Sequence, residues 1–139
     1  MSNVALTTDQ APAAIGPYSQ AVRAGDLIFC SCQLGLDPAS AVLVPGGVVA
    51  ETRRMLNNLR AVIEAAGASL ADVARTTLYL SDMTDFPAVN QVYATFFSIA
   101  PPARTTLQAG LPKGARVGID AIACVPSVKA PERSHVPAH

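Results

Sequence analysis

Polar and apolar residues alternate with a period of two in two neighbouring stretches of the chain, and this alternation predicts β-strands. The stretches lie within residues 101–110 and 111–125, and a loop with Pro112 and Gly114 separates them. We predict an antiparallel hairpin that packs one face on a core. That face carries Thr105, Leu107 and Ala109 from the first strand and Val117, Ile119, Ala121, Ala123 and Val125 from the second.

The opposite face of the predicted hairpin carries Arg104, Thr106 and Gln108 together with Gly118, Asp120, Ile122 and Cys124. Arg104 and Asp120 would then lie near each other. The hairpin alone favours a surface salt bridge, which contributes only ~0–1 kcal/mol to stability. The alternative is an anion site, where the planar fork of Arg104 binds a substrate carboxylate and Asp120 handles a water or a proton.

The remaining pattern predicts further strands and two amphipathic helices. These elements are strands at 19–24, 27–34 and 73–80 and helices at about 48–66 and 86–98. Their order predicts one α+β domain over residues 1–125, a mixed sheet of about six strands with two helices packed on one face. Residues 126–139 contain three prolines without periodicity, so we expect a disordered tail there.

The second face of this sheet combines polar side chains with residues of the nearly all-apolar strand at 27–34. Leaving so mixed a face in water is unfavourable. Burial against copies of the same chain in a cyclic oligomer would remove that exposure. It would also place Arg104, Thr106 and Asp120 in clefts between subunits.

Charge and composition exclude several classes of partner. The 139 residues include ten basic and ten acidic side chains, which offer no basic surface for nucleic acid and no polybasic segment for a membrane. No apolar run approaches the ~20 residues of a membrane helix. The N-terminus lacks the pattern of a secretory signal, so a cytoplasmic location is expected. Three cysteines and two tail histidines favour free thiols over a metal site.

Several motifs resemble, in order along the chain, those of the reactive-intermediate deaminase family, also called Rid or YjgF. The motifs are Gly16-Pro17-Tyr18-Ser19-Gln20-Ala21, the segment 58–67, Thr76-Thr77-Leu78-Tyr79-Leu80, Asp85-Phe86-Pro87-Ala88-Val89-Asn90 and Pro102-Ala103-Arg104-Thr105. They extend from about residue 11 to residue 125. Because several segments occur in the right order and spacing, the chain is identified as a member of this family.

The resemblance implies a chorismate-mutase-like α+β fold, a barrel-like homotrimer and a site at each subunit interface. Family members hydrolyse 2-imino acids, such as 2-iminopropanoate and 2-iminobutanoate, and their 2-enamino tautomers to 2-oxo acids and ammonia. These substrates are short-lived products of pyridoxal-phosphate enzymes that act on serine or threonine. The family uses no metal or organic cofactor, so the implied partners are a small imino or 2-oxo acid and further copies of the chain.

The resemblance also assigns roles to residues of this chain. Arg104 matches the arginine that binds the substrate carboxylate, and the backbone of Thr106 is expected to line the pocket. Tyr18 matches the tyrosine that closes the site across the interface. Ser31 matches a serine near the ligand, and Asn90 falls at a helix position often occupied by asparagine. Arg104 and Tyr18 are therefore expected to be catalytic, together with an acid on the last strand.

Two positions depart from the family pattern. Asp120 occupies the position of the acid that acts on the attacking water, where the family usually has glutamate. The missing methylene shortens its reach by roughly 1 Å, and a misplacement of that size can lower the rate ~10²-fold. Cys32 replaces a glycine that usually follows the serine, so it adds a side chain at the substrate site, where backbones or subunits approach closely.

Hydrolytic deamination is the function that we expect from these residues. The alternative is a non-catalytic trimer that binds small 2-oxo or amino acids with a regulatory role, because a shared fold does not guarantee a shared activity. A ribonuclease is the weakest hypothesis. The neutral charge and the lack of a basic stripe disfavour RNA binding.

Overall fold

The computed structural model describes residues 3–125. Its strands and helices, in chain order, are β1 (Val4–Leu6), β2 (Ala21–Ala24), β3 (Leu27–Leu34), α1 (Gly47–Ala65), β4 (Val73–Leu80), α2 (Phe86–Phe96), β5 (Ala103–Gln108) and β6 (Val117–Cys124). Short 3₁₀ turns lie at Leu70–Asp72, Met83–Asp85 and Pro112–Gly114. The tail predicted at 126–139 lies outside the described residues.

The six strands form one mixed sheet in the order β1-β2-β3-β6-β4-β5. β4 and β5 run parallel, and the other neighbouring pairs are antiparallel. Leu59 of α1 and Val89 of α2 share a buried core with Ile119 of β6. The predicted α+β architecture, with two helices on a six-stranded sheet, is confirmed. Within residues 3–125, no helix combines the length and the apolar character that a membrane span requires.

The predicted hairpin between the last two strands is wrong, because β4 lies between β5 and β6. Thr76 of β4 is paired with Arg104, whereas Thr77 is paired with Asp120. Paired residues point to the same face of a sheet, and successive residues point to opposite faces. Thr76 is buried and hydrogen-bonded to Tyr93 of α2. Arg104 therefore points to the helix-covered face, and Asp120 points to the open face.

The assignment of faces on β5 is wrong for the same reason. Thr105 and Leu107, predicted to pack on the core, are both exposed. β4, α2 and β5 form a crossover unit, which is how two parallel strands are joined. β5 is also an edge strand of the sheet, and Thr105 and Thr106 lie on opposite faces of it. The polar pattern of this strand therefore does not distinguish its two faces.

The end of β3 is held tightly against α1. Asn58 of α1 is fully buried, and its Nδ2 donates to the carbonyl oxygens of Leu34 and Leu36 at 3.0 and 2.9 Å. Gly35 lies so close to α1 that a Cβ on it would stand 2.5 Å from the carbonyl oxygen of Glu51. These contacts set the position of the strand end that forms one wall of the cavity described next.

Candidate active site

A cavity of about 510 Å³ opens between the N-terminal loop, the end of β3 and the loop that precedes β6. Its volume falls in the range of small-molecule sites, and most of its lining residues are apolar. Three residues that sequence analysis placed in the site line it together, namely Tyr18, Ser31 and Cys32. Tyr79 of β4 and Lys113 also contribute to the wall.

A β-bulge in β3 brings two of these residues to the predicted acid. The pairing of β3 with β6 shifts by one residue between Cys30 and Gln33. Ser31 and Cys32 therefore stand together opposite Asp120. Bulges of this kind re-aim side chains and are frequent beside active sites. Here the bulge gathers three of the predicted site residues at one place on the open face.

Cys32 fits at this bulge because the neighbouring strand has a glycine. Its sulfur lies 2.9 Å from the point that a Cβ on Gly118 would occupy. The thiol thus fills the space that a side chain at position 118 would otherwise need. An alanine at position 118 would force the sulfur to shift, since real Cβ atoms essentially never approach so closely.

Gln20 fixes the N-terminal loop that carries Tyr18. Its side chain is buried, and Nε2 donates to the carbonyl oxygen of Pro12 at 2.7 Å. The hydroxyl of Ser31 donates to the carbonyl oxygen of Ser19 at 2.6 Å. Ser31 therefore ties β3 to this loop as well as lining the cavity. Tyr18 remains half exposed at the cavity wall.

Asp120 is held by a tyrosine that sequence analysis did not place in the site. Tyr79 Oη donates to Asp120 Oδ2 at 2.6 Å. This hydrogen bond, together with burial and the charge of Asp120, raises the pKa of Tyr79 to about 12. The phenol therefore stays protonated at neutral pH. Finding Tyr79 from sequence would have required knowing that β4, and not β5, is the neighbour of β6.

Arg104 lies on the opposite face, on the edge strand β5. Its guanidinium carbon stands 4.7 Å from the ring centroid of Tyr93 and 5.4 Å from that of Phe86. Asn90 lies one helical turn from each of these rings on the same face of α2. Thr106 follows two residues after Arg104 and shares its face. Among residues 3–125 no carboxylate forms an ion pair with Arg104. Its charge is attracted by the faces of these two rings.

The structure thus separates the predicted site residues into two groups on opposite faces of the sheet. We call them the pocket group and the edge group. The pocket group comprises the cavity-lining residues Tyr18, Ser31 and Cys32 and also Asp120, which adjoins the lining through its hydrogen bond with Tyr79. The edge group comprises Asn90, Arg104 and Thr106. The predicted proximity of Arg104 and Asp120 within one chain is wrong. A salt bridge between Arg104 and Asp120 of the same chain is therefore excluded.

The thiols beside the cavity are kept protonated by their surroundings. Burial, and secondarily the charge of Asp120, raises the pKa of Cys32 to about 11 and that of Cys30 to about 12. Only the thiolate is a nucleophile or a metal ligand, so neither residue is activated at neutral pH. In the part of the chain that the structure describes, no three His, Cys, Asp or Glu side chains are grouped as metal ligands.

Cys32 is expected to react slowly with iodoacetamide at pH 7.5, although part of its side chain is exposed. With a pKa of about 11, it should react roughly 100-fold more slowly than a thiol with an ordinary pKa, and its rate should rise about tenfold per pH unit. Mass spectrometry of a variant with Cys30→Ala and Cys124→Ala isolates this thiol, and the same chain unfolded in urea is the control. Equal rates for the folded and unfolded chains would contradict the assignment.

These features define a small α+β protein with a small-molecule pocket beside an acid on the open face of its sheet. A sequence model of the family described as Endoribonuclease L-PSP matches residues 8–125. The 2-iminobutanoate/2-iminopropanoate deaminase of Mus musculus is 52% identical over 119 residues, which cover 85% of this chain and 88% of the relative. The chain belongs to this family, the RidA/YjgF family that its motifs predicted.

Solved structures agree with this assignment. RidA from the Antarctic bacterium Psychrobacter sp. superposes with a TM-score of 0.85 at 41% identity, covering 88% of this chain and 99% of that one. E. coli TdcF with bound serine superposes with a TM-score of 0.84 at 36% identity, covering 88% of this chain and 98% of that one. The predicted fold is confirmed by both.

Proposed function

We propose that this protein hydrolyses reactive 2-imino and 2-enamino acids to 2-oxo acids and ammonia. The observation that carries the proposal is its similarity, over most of both chains, to a mouse protein named for that activity. The amino acid in the TdcF structure supports a site for a small carboxylate. The setting that we propose is the cytoplasm, beside the pyridoxal-phosphate enzymes whose released products this protein would consume.

The residues suit each step of this hydrolysis. The guanidinium of Arg104 offers two parallel donors that match a substrate carboxylate and fix its orientation. Asp120 takes a proton from the water that attacks the C=N carbon. The resulting carbinolamine then expels ammonia and leaves a C=O bond. Oxygen comes from the water and its two protons end on nitrogen, so the balance requires no oxidant or reductant.

Arg104 and Asp120 cooperate in this proposal only when they come from different protomers, because they face opposite sides of one sheet. The open face exposes Leu27, Phe29 and Leu107 at 39, 42 and 38%. Such a patch favours burial against a partner. We therefore assign the chain to a cyclic homotrimer, in which the edge group of one protomer completes the pocket group of the next. Light scattering should give three times the 14.3 kDa of one chain.

The activity is tested by generating 2-aminoacrylate in situ with a serine dehydratase and following the release of pyruvate. Pyruvate should form faster than it does by spontaneous hydrolysis, in proportion to the amount of protein added. A folded trimer that gives only the spontaneous rate would reject the proposal. If calorimetry on that trimer detected binding of pyruvate or serine, the protein would instead be a non-catalytic binder.

RNA cleavage is a second candidate only because the family model is described as an endoribonuclease. The net charge of zero offers no electrostatic attraction for the phosphate backbone. Cleavage that persists through stringent purification and disappears in Arg104→Ala would support it. Cleavage that separates from the protein during purification would dismiss it.

A further inference from the structure

The hydroxyl of Tyr79 and the carboxylate of Asp120 form a short contact beside the cavity. The donor and acceptor atoms are 2.6 Å apart. The contact joins neighbouring strands, because Tyr79 is paired with Gly118 and Thr77 is paired with Asp120 in the β4–β6 ladder. Both side chains stand on the open face, two residues apart along that ladder, so the backbone itself sets the distance between them.

The surroundings leave room for the ring of Tyr79 to reach Asp120. Gly118, its cross-strand partner, has no side chain to compete for the space above β6. The sulfur of Cys32 fills the space over Gly118. Tyr79 also lines the cavity. The phenol therefore holds Oδ2 of Asp120 at the edge of the pocket and leaves Oδ1 as the oxygen that can bind a water.

We propose that Tyr79 is a positioning residue for the deamination, which locks the carboxylate of Asp120 in the orientation that activates the attacking water. This inference rests on the proposed function. A free aspartate side chain rotates about two torsions, and only some orientations aim an oxygen at the water. A hydrogen bond that fixes one oxygen selects among these orientations of the carboxylate. Such a contact can speed the reaction although Tyr79 does not touch the substrate.

The protonation state of the phenol agrees with this role. Its raised pKa, about 12, means that Tyr79 keeps the proton that it donates to Asp120 at neutral pH. The other charged or titratable neighbour acting on Tyr79 is Cys32, whose thiol is also protonated at neutral pH. The protonation of the phenol is therefore constant at neutral pH, and the phenol does not act as a switch.

Removing only the hydroxyl tests the kinetic role. Tyr79→Phe should lower kcat by roughly 10- to 100-fold, since a loosened base loses part of its ~10²–10⁴-fold contribution. KM should stay within about twofold, because Arg104 and not Asp120 binds the ground-state carboxylate. The matched control is Thr84→Val, which removes a hydroxyl that donates to the carboxylate of Asp82 at 2.8 Å on the exposed surface. An unchanged kcat in Tyr79→Phe would overturn the proposal.

A double-mutant cycle separates positioning from an independent effect. Asp120→Asn should lower kcat more than Tyr79→Phe does, and the double variant should be no slower than Asp120→Asn alone. That result follows if Tyr79 acts only through the carboxylate. If the losses of kcat in the two single variants instead multiplied in the double variant, Tyr79 would act on the substrate or on the fold. That result would overturn the proposal.

A third measurement needs no activity at all. The chain has three tyrosines, and Tyr79→Phe identifies which ¹³C ring resonance belongs to Tyr79. In the parent protein this resonance should titrate near pH 12, and in Asp120→Asn it should move toward the ordinary value of about 10. If the titration midpoint of Tyr79 were the same in Asp120→Asn as in the parent protein, the hydrogen bond between Tyr79 and Asp120 would be disproved. Movement without any deamination by the parent protein would reject the proposed function, and the positioning role with it, while leaving the contact established.

Discussion

Arg104→Ala is expected to lower kcat/KM for 2-iminopropanoate by roughly 10³-fold. In the proposed site, this substitution removes two charge-assisted hydrogen bonds to the substrate carboxylate together, at about 1.5–3 kcal/mol each. Pyruvate release from 2-aminoacrylate measures the effect. Arg104→Lys is the matched control, since it keeps the positive charge but loses the two parallel donors of the guanidinium. It should recover only part of the rate.

The position of Arg104 on the face opposite Asp120 permits a sharper form of this test. Arg104→Ala and Asp120→Asn chains should each be nearly inactive alone. Unfolded together and refolded as a mixture, they should regain activity at about one quarter of the sites, where an intact Arg104 meets an intact Asp120 from the neighbouring chain. No recovery from well-folded mixed trimers would show that the two residues do not share a site across an interface.

Gly35→Ala is expected to lower the free energy of unfolding by about 2–4 kcal/mol, because its new methyl group meets backbone atoms that cannot move aside. The Cβ would stand 2.5 Å from the carbonyl oxygen and 2.7 Å from the Cα of Glu51. To relieve the clash, β3 and α1 must separate, which would also weaken the buried hydrogen bonds of Asn58. Urea unfolding at a fixed chain concentration measures the change.

Gly110→Ala is the matched control for this prediction. A Cβ on Gly110 would have no other heavy atom within 4 Å, so the same added methyl group should change stability by less than about 0.5 kcal/mol. If both variants unfolded at the same urea concentration, close contact between β3 and α1 would not be what makes glycine necessary at position 35.

The helices could be predicted because their apolar residues recur at a helical period. Along α1, Met55, Leu59 and Val62 are all buried, and the predicted range of 48–66 differs from Gly47–Ala65 by one residue at each end. α2 ends two residues earlier than predicted, at Phe96. β1 has only three residues, all at least partly exposed. The alternation of polar and apolar residues in β1 is too short to distinguish this strand from a loop.

Strand order could not be obtained from the same patterns. Alternation along a strand shows which residues share a face, but it does not show which strand lies next to it. The last two predicted strands are adjacent in sequence, and sequential strands often pair, which suggested a hairpin. Instead, α2 carries the chain across to a parallel partner, and this crossover places Arg104 and Asp120 on opposite faces.

The motifs were informative about the pocket for a different reason. Tyr18, Ser31 and Cys32 are carried by a loop and by a bulge, where no periodicity could have revealed them. The family resemblance placed them in a site, and the structure brings them to one cavity. Tyr79 belongs to a strand that is part of the same resemblance, but its contact with Asp120 depends on the register between β4 and β6.

The central place of β6 in the sheet has a consequence for synthesis on the ribosome. β6 is the last described strand, yet it lies between β3 and β4. A nascent chain that has emerged only as far as residue 116 holds two separate sheet fragments, β1-β2-β3 and β4-β5, with their inner edges unpaired. Such edges invite wrong pairings with other chains. Completion of the sheet must therefore wait until the strand that carries Asp120 has left the exit tunnel.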